Sequence, residues 1–393
     1  MADSEDSAAP SGIVSAIRDN LEQAFADDVP QSRSGSQDDL DMPHQEALKS
    51  ALSALNAQSV DDLAKRGMWT RDTILDSAKF HNPLHYLVEC YVSAVETGGA
   101  ANLLQSFSEC LSVILDHDVD INEGDINRNT PLHLVCHHCG DEPVIRKLTA
   151  SGSKVNLENV NNQTPLHLAT DNGTSGDVEA LLTAGADPNK LDCIGYGPLH
   201  IAVKYRRNRD IIKCLVACGA DVDLQSQDAR GRGSAPLHTA IRHDRKENVK
   251  LLLELGASSD VIDSSGQTAL LLAAKYDITG DMITYLLQSG AHIDATDTIY
   301  EETALHKAIK RNMIENIKVL IGKGASLSQP DVNGDTPLHT AATLCQNIET
   351  WVALMSGNKP DIRRRNAKKQ TVLDRASRAS NKLAVNILKQ MAE

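Results

Sequence analysis

Aromatic side chains are scarce in this chain of 393 residues: Phe, Trp and Tyr together make up 3% of it. Leu, Ile, Val and Ala must then fill whatever core it builds, which suits thin helical layers better than a deep globular centre. Long apolar runs are also lacking. None approaches the roughly 20 residues that cross a bilayer, and the N-terminal MADSEDSAAP is acidic where a secretory signal would be basic and then apolar. A cytoplasmic protein is expected, with the nucleus as a second location. Excess positive charge is absent too, and a formal net charge of -14 excludes general attraction to nucleic acid or to an anionic membrane. The eight cysteines (Cys90, Cys110, Cys136, Cys139, Cys193, Cys214, Cys218 and Cys345) are too dispersed for a secreted disulfide framework. Most fall in apolar helical runs, so reduced, buried thiols are expected.

Motifs of catalysis are missing as well. The chain has no Gly-x-Ser-x-Gly, no His-Glu-x-x-His and no phosphate loop; Ile321-Gly322-Lys323-Gly324-Ala325 has the composition of the last but closes a helix where such a loop opens one. The stretch His133-Leu134-Val135-Cys136-His137-His138-Cys139 has the density of a zinc site. It lacks a second Cys pair at metal-finger spacing, and its two thiols fall at a packing position and at an inter-helix turn, which face different surroundings. Cys214 and Cys218, four apart, also match packing positions. No enzymatic activity, cofactor or metal is expected.

What the chain has in abundance is a repeated tetrapeptide. It reads Asn82-Pro83-Leu84-His85, Thr130-Pro131-Leu132-His133, Thr164-Pro165-Leu166-His167, Gly197-Pro198-Leu199-His200, Ala235-Pro236-Leu237-His238, Thr268-Ala269-Leu270-Leu271, Thr303-Ala304-Leu305-His306, Thr336-Pro337-Leu338-His339 and Thr371-Val372-Leu373-Asp374. From the second copy onward the spacings are 34, 33, 38, 33, 35, 33 and 35 residues. Thr caps a helix through its hydroxyl, Pro at the first helical position gives up a donor the helix cannot use, and Leu begins an apolar stripe. A second apolar period follows in each copy and ends in Gly-Ala or a variant, where Gly can take the left-handed conformation that stops a helix. Stretches such as Asp331-Val332-Asn333-Gly334-Asp335 then carry the residues of a tight turn.

Helix, turn, helix and hairpin at about 33 residues resemble the ankyrin repeat, and the resemblance covers residues 80–393. It implies an all-α solenoid of eight or nine repeats, with helix pairs stacked side by side, hairpins projecting from them and a concave inner surface. The motif His is implied to bond locally and brace neighbouring repeats. Residues 45–79 show helical periodicity (Leu48, Leu52, Leu55, Leu63) and are read as an N-terminal cap; the copy at Thr371 is read as the closing cap. Residues 1–44 are read as an acidic, mainly disordered arm with a short amphipathic helix around Ile13, Val14, Ile17, Leu21 and Phe25. Insertions are expected at Val95–Asn102, between the first two repeat helices, and at Asp228–Ser234, a Gly-rich hairpin tip.

The resemblance also implies a binding face. In such arrays the fourth and fifth residues after the motif His lie near the end of the first helix and face the groove. Here they are His137 and His138, Asp171 and Asn172, Lys204 and Tyr205, Arg242 and His243, Lys275 and Tyr276, Lys310 and Arg311, and Thr343 and Leu344. Lys204, Arg242, Lys275 and Lys310 should form one basic stripe about 30 Å long. A protein partner presenting an acidic segment is expected on it, and the arm, with net charge -8, is expected to compete. Phosphorylation of Ser36 would tighten that contact. Resemblance to ankyrin hairpins further marks Asn189, and next Asn156, as candidates for an asparaginyl hydroxylase. The basic run Ile362–Lys369 reads as a solvated loop or as a nuclear import signal. The function expected is a non-enzymatic scaffold or adaptor; the competing reading is a regulatory subunit or inhibitor in an enzyme complex, such as a substrate receptor for ubiquitin transfer. A receptor would need a docking box outside the repeats, and none is recognisable.

Overall fold

A helix start leaves four backbone N–H groups without partners, and the tetrapeptide supplies what they need. In a computed structural model, which describes residues 42–66, 82–97, 102–138, 140–205, 209–227, 233–356 and 361–392, every copy opens a helix. Helix α1 spans Met42–Ser53 and α2 Ala57–Lys65. Nine helix pairs follow among the described residues: α3 Pro83–Glu96 with α4 Leu103–Leu115, α5 Pro131–His138 with α6 Glu142–Ala150, α7 Pro165–Asn172 with α8 Ser175–Thr183, α9 Pro198–Lys204 with α10 Arg209–Ala217, and α11 Pro236–Arg242 with α12 Lys246–Glu254. The series continues with α13 Ala269–Tyr276 and α14 Asp281–Gln288, α15 Ala304–Lys310 and α16 Ile314–Gly322, α17 Pro337–Leu344 and α18 Ile348–Met355, and α19 Val372–Arg378 and α20 Lys382–Ala392. The fold is the all-α solenoid expected.

Residues Ala47–Glu393 form one compact unit. Within it each first helix packs on the first helix of the next pair, and most second helices pack on second helices. The motif leucines Leu132, Leu166, Leu199, Leu237, Leu270, Leu305 and Leu338 are at most 1% exposed. Ala169, Ala202, Ala240, Ala273, Ala308 and Ala341 are fully buried three positions on, where a small side chain lets neighbouring helices close up. Val60 of α2 is buried, and α2 packs on α4.

Most of the described hairpins owe their shape to one carboxylate or carboxamide, and the one before the fifth repeat to the Ser226 hydroxyl. Asp125 Oδ1 accepts from the amides of Asn127 and Asn129 at 2.8 and 2.7 Å, Asp192 from Ile194 and Tyr196 at 2.9 and 2.8 Å, and Asp263 from Ser265 and Gln267 at 2.9 Å each. Such a side chain mimics a backbone turn. Neighbouring tips are joined by main-chain bonds, Val160 N to Asn127 O at 2.9 Å, Cys193 N to Asn161 O at 2.8 Å and Val332 N to Tyr300 O at 2.9 Å.

Several expectations fall outside the described residues: the amphipathic helix around Ile13, Ser36, residues 67–81, Gly98 to Ala101, the tip at 228–232, and Cys139. Burial of the thiols needs correction. Cys110, Cys136 and Cys345 are buried and Cys90 and Cys214 half-buried, but Cys193 and Cys218 are exposed. Cys193 sits on a hairpin tip and Cys218 just past the end of α10, both beyond the apolar stripe that buries the others. Among the described residues no helix is long and apolar enough to cross a membrane.

Candidate binding site

The first helices end in pairs of residues that lie past their buried stripe. Because α9, α11, α13 and α15 pack in that order, Lys204, Arg242, Lys275 and Lys310 follow one another along the array. Their electrostatic situations differ. Arg242 is turned onto its neighbouring hairpin: its guanidinium lies 2.6 Å from Asp263 Oδ2 and also donates to Ser234 Oγ, and its side chain is 20% exposed. Lys310 is paired with the nearly buried Glu302. Lys204 and Lys275 instead sit over the rings of Tyr205 and Tyr276, 5.6 and 4.9 Å from their centroids.

The second member of each pair is mostly presented outward. Tyr205 and Tyr276 are exposed. Burial, together with a hydrogen bond to Asp171 from the preceding repeat, pushes the Tyr205 phenol up to about 12. His243 is half-buried, and burial followed by the charge of Lys204 lowers its affinity for a proton. Arg311, His137, His138, Asp171, Asn172 and Leu344 are exposed, and the rings of His137 and His138 meet edge to face at 4.8 Å.

A cluster that periodicity does not show lies beside this row. The hairpin between the sixth and seventh repeats is longer by inserted residues, and Ile299 and Tyr300 stand out from it, 57% and 56% exposed. Lys307, in the middle of α15, is 2.6 Å from Asp297 Oδ2 and 3.6 Å from Glu302 Oε2. Burial disfavours the Asp297 carboxylate, but Lys307 and the amides of Tyr300 and Ile299 outweigh it and hold the carboxyl below its usual range. A cavity of about 300 Å³ opens here, lined by Lys275, Lys310, Arg311, Ile299, Tyr300 and Glu302 among others. The signal available in the sequence was the 35-residue spacing from Thr268 to Thr303.

Asn189 and Asn156 occupy equivalent places at the bases of successive hairpins. The Asn189 carboxamide donates to Gly219 O at 3.1 Å and accepts from Asp221 N at 2.8 Å; that of Asn156 donates to Gly185 O at 3.0 Å and accepts from Asp187 N at 2.8 Å. Each ties its repeat to the next. In the basic run, Arg363, Arg364, Arg365, Lys368 and Lys369 are exposed on the last hairpin.

A family model described as "Ankyrin repeats (3 copies)" matches residues 99–192, 199–297, 280–366 and 305–393. The chain is 32% identical over 223 residues to the B-cell lymphoma 3 protein homolog of Mus musculus, an alignment covering 55% of this chain and 49% of that protein. It is 31% identical over 194 residues to SH3 and multiple ankyrin repeat domains protein 2 of Homo sapiens, covering 48% of this chain and 10% of the relative. The chain thus spans about half the length of the first relative and a tenth of the second. Among solved structures it is similar to the ankyrin repeat domain of Bcl-3, described as a unique member of the IkappaB protein family, with a TM-score of 0.51, 31% identity, and coverage of 57% of this chain and 98% of that one.

Proposed function

The chain belongs to the ankyrin-repeat family, and from that premise we propose that it is a non-enzymatic scaffold which holds a protein partner along the ends of its first helices and its hairpin tips. One observation carries this reading. Tyr205, Tyr276, Ile299 and Tyr300 are exposed in a chain with few aromatics, whose buried core is mostly aliphatic. Tyr and Arg are the residue types that most often anchor protein interfaces, and here Tyr205, Tyr276, Arg242 and Arg311 alternate with Lys204, Lys275, Lys310 and His243 on successive repeats.

The test compares affinity purification from an extract of the source organism using the full chain and a Tyr205→Ala/Tyr276→Ala variant of unchanged helicity. Proteins that cross-link to the wild type should be depleted about tenfold or more with the variant, the loss expected for two interface anchors. An identical set of captured proteins would remove this face from the reading. The second reading, a regulator that masks its target, is favoured by the similarity to the Bcl-3 domain; it predicts that the captured partner loses activity on binding, where a scaffold leaves it active.

Modification at Asn189, with Asn156 second, belongs to the same proposal. Because each carboxamide is engaged at both ends, an asparaginyl hydroxylase must open the hairpin base first. Mass spectrometry after incubation should find Asn189 modified faster in a destabilised variant than in the wild type; absence of modification in both would end the idea. Ser36 and the competing acidic arm remain parts of the proposal that rest on sequence alone.

A further inference from the structure

The four cations of the cavity between the sixth and seventh repeats are not equivalent. Lys307 is held by Asp297 and Glu302, and Lys310 by Glu302. Lys275 has an ordinary tyrosine ring beside it and no acidic partner among the described residues, and Arg311, exposed at the end of α15, has none either. The two carboxylates are therefore matched by two lysines, and the cavity keeps an uncompensated charge of two. A half-enclosed cavity focuses such a charge more than an open helix face does. Its rim is apolar, formed by Ile299 and Tyr300, which are more than half exposed among the described residues. Its volume, about 300 Å³, is at the small end of ligand pockets and is suited to one or two side chains.

We propose that this cavity is the specificity pocket of the binding face and takes an acidic side chain of a partner peptide, its carboxylate between Lys275 and Arg311 and the apolar residue next to it against Ile299 and Tyr300. This deepens the scaffold reading and rests on it. Glu302 and Asp297 act as the pocket's filter: by occupying Lys307 and Lys310 they limit the charge it offers, so that a short acidic–apolar segment fits and a dense polyanion gains no extra contacts. Arg242, tied to Asp263, adds little to the attraction, so the acidic residue is held by this pocket and not by all four cations of the stripe.

The experiment measures fluorescence polarisation of a labelled Ser-Leu-Glu-Leu-Ser peptide with the full chain, beside its Gln-for-Glu and its Ser-for-Leu counterparts and a polyglutamate probe. The variants are Lys275→Glu/Arg311→Glu, Tyr300→Ala, and Lys213→Glu/Lys389→Glu, which changes charge equally on exposed second helices. We expect the acidic–apolar peptide to bind more tightly than all three other probes. The Lys275/Arg311 reversal should weaken it about tenfold or more, since two attractive pairs are replaced by repulsive ones. Tyr300→Ala should weaken it several-fold, and the Lys213/Lys389 control should change it less than about twofold, long-range charge being screened. Equal loss in the pocket and control reversals, or polyglutamate binding as tightly as the peptide, would show diffuse attraction and overturn the pocket. No binding of any probe would overturn it too. If the cross-linked partners of the full chain are retained by Lys275→Glu/Arg311→Glu while Tyr205→Ala/Tyr276→Ala loses them, the pocket fails and the scaffold reading stands.

Discussion

His167 shows how one residue type works throughout the array. Its Nδ1 accepts from Thr164 N at 3.1 Å, so that nitrogen carries no proton, and its Nε2–H donates to Tyr196 O at 3.2 Å in the next hairpin. His133, His200, His238, His306 and His339 repeat the pair, Nδ1 accepting from the amide three residues before and Nε2 donating to the carbonyls of Gln163, Ser234, Gln267, Asp335 and Gln370. At the first repeat Asn82 replaces the usual cap, and His85 lies between two oxygens, its Nδ1 2.7 Å from the Asn82 carboxamide oxygen and its Nε2 2.9 Å from Asn129 O. Burial lowers His133, His167, His200 and His238 to about 4, with the backbone acceptors only partly offsetting it. These folded values lie below the unfolded 6.5, so the unfolded chain takes up more protons between the two. The stabilisation is therefore complete above about pH 6.5, declines as the pH falls and is lost below about pH 4, at roughly 3 kcal/mol per histidine. Urea midpoints measured from pH 7 to pH 4.5 should fall steeply. His167→Phe should be destabilised by about 1–3 kcal/mol at pH 7, with buried Thr164 N left without a partner and Tyr196 O keeping only the Asp192 amide, and should show a shallower pH dependence than the wild type; an unchanged midpoint would refute the bracing role.

Between elements, the sixth repeat departs from its neighbours. Leu271 stands where the first five, the seventh and the eighth copies carry His and is fully buried, so the histidine bond to the following hairpin is missing at this repeat. Thr268 and Thr303 both lack the pre-organising Pro after them. A different device joins this repeat to the next: Asn316 Nδ2, fully buried in α16, donates to Asp277 O at 2.6 Å and to Ala274 O at 3.2 Å, covering carbonyls that the end of α13 leaves open. Asn248 does the same for α9 through Val203 O and Tyr205 O, and Asn381 for α17 through Ala342 O and Cys345 O. Asn316→Leu should lower stability by about 2–3 kcal/mol through the carbonyls it leaves buried and unpaired, and hydrogen exchange should then quicken first in residues 269–288. In the wild type the same segment should already exchange faster than 165–217; uniform protection across the array would count against a weak sixth repeat.

Within the array each helix pair packs on its neighbours, so its stability is expected to be a sum of repeat and interface contributions and not one cooperative block. Trp351, fully enclosed in α18 and donating to Cys345 O, reports on the eighth repeat alone. In a Trp69→Phe background, urea unfolding followed by Trp351 fluorescence and by far-ultraviolet circular dichroism should give midpoints that do not coincide; superimposable curves would establish a two-state molecule.

Helix starts, helix stops and the repeat length were legible in the sequence because their causes are local: a cap, a Pro at the first position, and a Gly with φ of +89° at Gly185 and +93° at Gly256 act within a turn of themselves. The row of Lys204, Arg242, Lys275 and Lys310 was legible for the same reason, since position in a repeat determines where a helix ends. Which of these cations keep their charge available was decided only by tertiary structure. Arg242 meets Asp263 across 21 residues, and Lys307 and Lys310 meet Asp297 and Glu302 because an enlarged hairpin folds back over α15. Spacing along the chain gives each side chain an address, but ion pairing falls off over a few ångströms, and that distance is determined by how one repeat's hairpin lies on the next repeat's helix.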